Sequence, residues 1–261
     1  MVSQPRVGYT KTNWWALERE VNVSVYSNTE IKTAIRNDTI VSVPYNEAHV
    51  SEASLDFTLG YYFYKQEVRE DSRMYNPFDK EDVDRYFKGP LKAIPHHEWC
   101  ERYGYKPFAN IPRNHPIIVL RPGERILAHT HEFMGIRAHG GAAEVRARSS
   151  WGRNGVAVCF DAGWVDPGYI NRITLEIYNL NMHESVVLPV GERMGQLVFH
   201  KTGVVEGDYS TGRSGMSGKY QTTDNLDELI ANWKPEDMLP RNYKDKRTKP
   251  KKIKGLTEGI L

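Results

Sequence analysis

The sequence predicts a mainly β protein, a distorted β-barrel or sandwich with a few short helices, an insertion and a basic C-terminal tail. From residue 117 onward, short apolar segments alternate with Gly- or Pro-marked turns, the spacing of many short antiparallel strands. Leu55, Phe57, Leu59, Tyr61 and Phe63 alternate with polar or small residues, the period of a strand with one buried face. The helical windows, by contrast, are short and stand at 29–36, 79–88 and 225–233.

Residues 1–28 read as an irregular arm, with Val21, Val23 and Val25 suggesting one strand. Asn28 or Thr29 caps a helix that places Ile31, Ala34 and Ile35 on one face, and Asn37-Asp38 ends it before the β-branched run 39–43. The alternating stretch 55–63 is expected to be one strand of the core. Residues 66–115 dissolve into charges, prolines and aromatics and read as an insertion with a Tyr103-Gly104-Tyr105 turn. Strands are then expected at 117–120, 125–130, 144–148, 156–165, 172–179, 185–188 and 194–201, the first two joined by the turn Arg121-Pro122-Gly123-Glu124. The division that results is an arm at 1–28, a domain at 29–221 with its insertion at 66–115, and a short helix plus basic tail at 222–261. From Lys234 on, the polar and proline-containing chain is expected to be partly ordered at best and dispensable for turnover from Arg241.

With 261 residues, 39% hydrophobic and 26% charged, the chain has the composition of a soluble globular protein large enough to act as an enzyme alone. It has no apolar run of about 18 residues and no basic-then-apolar N-terminus, so the expected compartment is the cytosol. Residues 241–254 hold eight Lys or Arg against one Asp, a local charge of +7 within a total of +2, which leaves the body mildly acidic at −5. The tail carries few aromatics, so nucleic-acid binding is not expected. Cys100 and Cys159 are too few for a disulfide framework or for the Cys-x-x-Cys plus His site of zinc-dependent deaminases. His129 and His131 share a strand face without an identifiable third ligand, and His96-His97 lies in the insertion, so no metal residues are assigned.

The chemistry concentrates between Arg148 and Gly203. Arg148-Ser149-Ser150-Trp151-Gly152-Arg153 offers hydroxyls and guanidinium forks suited to phosphate or a polarised water. Asp166-Pro167-Gly168 makes a tight turn, preceded by Asp161 and by the small pair Ala162-Gly163. Glu176 interrupts an otherwise apolar strand 23 residues after Arg153, sharing a face with Thr174 and Tyr178. A late Gly218-Lys219-Tyr220-Gln221 adds a lysine on a glycine-bearing loop.

These four motifs, in this order, resemble the dCTP deaminase family, the metal-free deaminase branch of the trimeric dUTPase-like fold. The match spans residues 29–59 and 117–221. The resemblance implies that Glu176 is the general base and acid that takes a proton from the attacking water and passes it toward N3 and the leaving amine of cytosine. It implies that Ser149 and Arg153 hold that water from a neighbouring subunit of a homotrimer. Asp166 lies where trimeric dUTPases activate water against the α-phosphate, so it is a further candidate catalytic residue. Arg148, Ser149, Ser150, Asp161, Ala162, Asp166, Lys219, Tyr220 and Gln221 are the implied nucleotide-binding residues. The implied cofactor is Mg²⁺ carried mainly on the triphosphate, with no zinc. The implied partners are dCTP and dUTP, with dTTP as a feedback inhibitor.

The expected reaction is deamination of dCTP to dUTP and ammonia. The alternatives are a bifunctional deaminase and diphosphatase giving dUMP, for which Ala162-Gly163 speaks, or a dUTPase. A non-catalytic nucleotide-binding regulator is a further alternative. After Gln221 the chain reads Thr222-Thr223-Asp224-Asn225, where the family continues with a second Gln and a Gly.

Overall fold

The computed structural model describes residues 24–66, 74–210 and 218–244. The suggested strand at 21–25 lies mostly outside them, as does the basic tail from residue 245.

Helix α1 (Asn28–Arg36) opens on a capping box in which Ser27 and Glu30 satisfy each other's backbone, one residue earlier than the sequence suggests. Its buried face is Ile31 and Ala34. Strand β1 (Ile40–Val43) follows, then a short β2 (Val50–Ser51) and β3 (Ser54–Thr58). The alternating stretch 55–63 is not one strand: β3 ends at Thr58, and β4 (Tyr62–Gln66) joins a different sheet. The break falls at Gly60, where an added Cβ would stand 2.1 Å from Cε1 of His129, so the chain crosses between sheets where the imidazole leaves no room for a side chain.

The insertion contributes α2 (Lys80–Tyr86), capped by Asp79, then β5 (Phe87–Lys92), β6 (Ile94–Pro95) and α3 (His96–Tyr103), which ends on Gly104 at φ +74°. It is woven into the body, because β5 pairs with β4 and β6 pairs with β7 (Pro116–Leu120). The remaining strands are β8 (Arg125–Ile136), β9 (Ala142–Ala147), β10 (Val156–Val158), β11 (Trp164–Val165), β12 (Ile170–Asn179), β13 (Val186–Pro189) and β14 (Arg193–His200). The expected strand at 156–165 is split into β10 and β11 by a turn in which Cys159 takes φ +53° and Ala162 N–H donates to the Cys159 carbonyl. Residues Ser149–Arg153 form a one-turn helix, α4.

One sheet runs β10-β12-β8-β4-β5, with β1 pairing the far half of β8; a second runs β11-β9-β14-β3-β2; a third joins β13-β7-β6. Their inner faces share one core that includes Phe57, Leu120, Ile126, Leu175, Leu197 and Phe199. This is the β architecture that the turn spacing predicts. Buried polar groups lock the crossing: Glu132 accepts from Thr58 N at 2.9 Å and from Thr58 Oγ1 at 2.7 Å.

Residues 222–244 pack against the body. Helix α5 (Leu226–Asn232) places Leu229 against Val41, Phe133 and Ile170. A 3₁₀ turn at Pro235–Met238 follows, with Met238 buried among Tyr64, Val83, Phe87 and Leu127. The expectation of poor order from Lys234 therefore fails as far as Lys244: polarity dominates the segment, but its few apolar side chains are the ones that dock.

Candidate active site

Strand β12 alternates faces, burying Ile173, Leu175 and Ile177 in the core and turning Thr174, Glu176 and Tyr178 to the other side. Glu176 stands opposite Leu127 of β8, and its carbonyl accepts from Cys159 N–H at 2.9 Å. The side chain enters a cleft of about 360 Å³, whose near walls are Leu127, Ala162, Trp164, Asp166 and Thr174. Its far wall comes from later chain: Tyr209, Tyr220, Met238 and Pro240. Burial raises the pKa of Glu176 above the ordinary glutamate value, while hydrogen bonding from its own backbone and the Cys159 thiol, and the charge of Arg125, offset part of that shift. Its Oε2 is buried with no hydrogen-bond partner among the described residues. A buried carboxyl with an unused acceptor at a cleft wall is equipped to take and return a proton.

Asp166 enters the same cleft from the tight turn. Tyr169 N–H donates to the Asp166 carbonyl at 3.0 Å, and Gly168 sits at φ +85°, where an L side chain is strained. Gln221, 2% exposed, fastens that turn: its Nε2 donates to Gly168 O at 3.0 Å and its Oε1 accepts from Ile170 N–H at 2.7 Å. The late motif and the Asp-Pro-Gly turn are thus one structural unit. Tyr209 packs edge-on against Tyr169 at 4.9 Å, and its hydroxyl pKa is pushed up to about 12 by burial and by the charge of Asp166. Tyr220 accepts at its hydroxyl from Arg241 N–H at 3.2 Å, and the Arg241 guanidinium lies 5.5 Å over its ring.

Of the residues singled out in the sequence, Glu176, Asp166, Ala162 and Tyr220 line this one cleft. Arg148, Ser149, Ser150, Arg153, Asp161, Lys219 and Gln221 do not line it within the single chain. Ser149, Ser150 and Arg153 are exposed on α4. Arg148 forms an ion pair with Asp56, a carboxylate 2% exposed that also meets Arg193 at 3.0 Å. Asp161 is exposed beside Ala162, and the Lys219 carbonyl accepts from Arg241 Nη1 at 3.0 Å.

His129 and His96 are engaged by the backbone. Nδ1 of His129 donates to Thr130 O at 2.7 Å and its Nε2 accepts from Tyr62 N–H at 3.1 Å, while burial lowers its pKa to about 4. Nε2 of His96 accepts from Phe108 N–H at 2.8 Å. Trp164, Tyr209, Met238 and Pro240 escaped the sequence reading as site residues. Trp164, 59% exposed, had a signal in its place between the small pair and the turn, whereas Met238 and Pro240 belong to no motif.

A β fold with two carboxylates entering one cleft defines the class, and comparison with known proteins supplies the family. Residues 25–202 match the family described as DCD: dCTP deaminase-like. A Methanopyrus kandleri protein named "dCTP deaminase, dUMP-forming" is 32% identical over 183 residues, covering 69% of this chain and 82% of that protein. A Nanoarchaeum equitans protein of the same name is 31% identical over 194 residues, covering 73% of this chain and 89% of that one. The solved 2'-deoxycytidine 5'-triphosphate deaminase of Agrobacterium tumefaciens is 19% identical with a TM-score of 0.47, covering 69% of this chain and 48% of that one. This chain belongs to the dCTP deaminase-like family.

Proposed function

We propose that this protein hydrolyses the 4-amino group of dCTP and carries the product on to dUMP. The observation that carries the reading is the shared cleft: Glu176, with its unpartnered oxygen, and Asp166 face one space. Water attacks C4 of the cytosine while Glu176 takes its proton. Glu176 passes that proton to N3, then carries the remaining hydroxyl proton from the C4 adduct to the exocyclic amine, the C4–N bond breaks, and ammonia leaves with the ring as uracil. A positioned base of this kind contributes about 10²–10⁴-fold. Raising the carboxyl's affinity for the proton suits both halves of the cycle, because the same group must accept and then donate.

Sequence reasoning puts dUTP first as the product. The placement of Asp166 in the same cleft, together with the dUMP-forming names of the relatives, favours hydrolysis at the α-phosphate as a second step. Ala162 leaves space beside Asp166 for the phosphate chain and a second water. Mg²⁺ enters this proposal on the triphosphate, where it neutralises phosphate charge, with no protein cage assigned to it. Ser149 and Arg153 complete the site from a neighbouring subunit of a homotrimer, which accounts for their exposure on α4 away from the cleft of their own chain. The setting we propose is the cytosol; no helix among the described residues is long and apolar enough to cross a membrane.

Product analysis of dCTP turnover tests the reading. Ammonia with dUMP and pyrophosphate, without free dUTP, is expected. Stoichiometric dUTP would retain the deaminase and remove the second step, and absence of ammonia would remove both.

A further inference from the structure

The far wall of the cleft is built by chain that the family match, ending at residue 202, does not include. Met238 is 4% exposed and packs on Leu127, the residue directly across the strands from Glu176. Two clamps hold it there. On one side Trp233 covers Arg172 at 4.8 Å and His129 at 4.7 Å, on the outward face of the same sheet. On the other side Arg241 donates to the Lys219 carbonyl, meets the Asp237 carboxylate and offers its backbone N–H to the Tyr220 hydroxyl. Asp237 in turn accepts from Lys234 N–H at 3.0 Å, closing the 3₁₀ turn that aims Met238 inward.

We propose that residues 233–241 are a resident wall of the substrate cleft, in which Met238 sets the fit of the pyrimidine ring beside Glu176 and Arg241 is the positioning residue that holds the wall closed. The inference rests on the reading of Glu176 as the proton carrier. A thioether is apolar and adaptable, so it follows the contour of a ring while keeping water from that side of the carboxyl. Without it the carboxyl gains solvent, ionises more readily and becomes the weaker proton acceptor, and the ring loses a contact surface.

The test uses the full chain with Met238→Gln, Met238→Leu and Arg241→Lys. The glutamine variant is expected to bind dCTP about tenfold more weakly in equilibrium titration. The acid limb of its pH–rate profile is expected about one unit lower. Met238→Leu, apolar and of similar volume, is expected to recover most of both changes. Arg241→Lys loses the fork that reaches two partners and is expected to move both readouts in the direction of the glutamine variant. Parent-like affinity and parent-like acid limbs in Met238→Gln and Arg241→Lys would overturn the inference. A Glu176→Gln control separates the two ideas: if it is inactive, the proton-carrier reading stands whatever the wall does, and if it is active, that reading falls first.

Discussion

Glu176 combines two conditions that rarely meet: a strand position facing away from the core and an oxygen with no partner among the described residues. Replacing it with glutamine keeps the shape and removes proton transfer, so nucleotide binding should persist while deamination drops by at least about 10²-fold. The measurement is ammonia release beside equilibrium dCTP binding. The sign of its pH dependence follows from burial. With the pKa raised, the base is lost to protonation as pH falls through a value above the ordinary ~4.3, so the acid limb of kcat/KM should lie above that value. If dUMP is the product, Asp166→Asn should halt the reaction at dUTP. His129 gives a stability prediction of the same kind. Its folded pKa of about 4 lies below the unfolded ~6.5, so its contribution is fully present above 6.5 and is lost as pH falls through 4. Unfolding free energies from chemical denaturation across that window should fall with acid by on the order of 3 kcal/mol, and by clearly less in His129→Gln.

At the scale of elements, the Asp-Pro-Gly turn and the late Gly-Lys-Tyr-Gln motif are joined by the side chain of Gln221. Gln221→Ala strands a buried N–H and a buried carbonyl, so unfolding should become easier by about 2–4 kcal/mol, read from chemical denaturation. The sheet crossing at Gly60 makes a matching demand. Gly60→Ala would drive a methyl into the His129 ring, at a cost of about 1–3 kcal/mol. Gly60 does not line the cleft, so any loss of activity in Gly60→Ala should follow its loss of stability.

For the whole molecule, α4 presents Ser149 and Arg153 away from the cleft of their own chain, and the homotrimer proposal gives them a partner site. Mixing inactive Glu176→Gln with inactive Arg153→Ala should restore part of the activity once subunits exchange. A monomer in light scattering would contradict this. Removal of residues 241–261, by contrast, should impair turnover, because it takes Arg241 from Tyr220, Lys219 and Asp237. The charge run reads as a dispensable tail in sequence, yet its first member is a structural cross-link.

The sequence by itself determined the β architecture, the α1 and α5 windows, the face of β12 that carries Glu176, and the Asp-Pro-Gly turn. Each of these depends on local periodicity or on the backbone preferences of Gly, Pro and Asp, which neighbouring residues suffice to express. The tertiary structure decided the rest. It split the stretch 55–63 at Gly60 because an imidazole from residue 129 fills the space, spent Gln221 on the backbone of Gly168 and Ile170, and brought Met238 over Leu127. Those outcomes turn on contacts between residues far apart in the chain, whose formation depends on how three sheets and the C-terminal segment pack together, and a linear pattern carries no term for that.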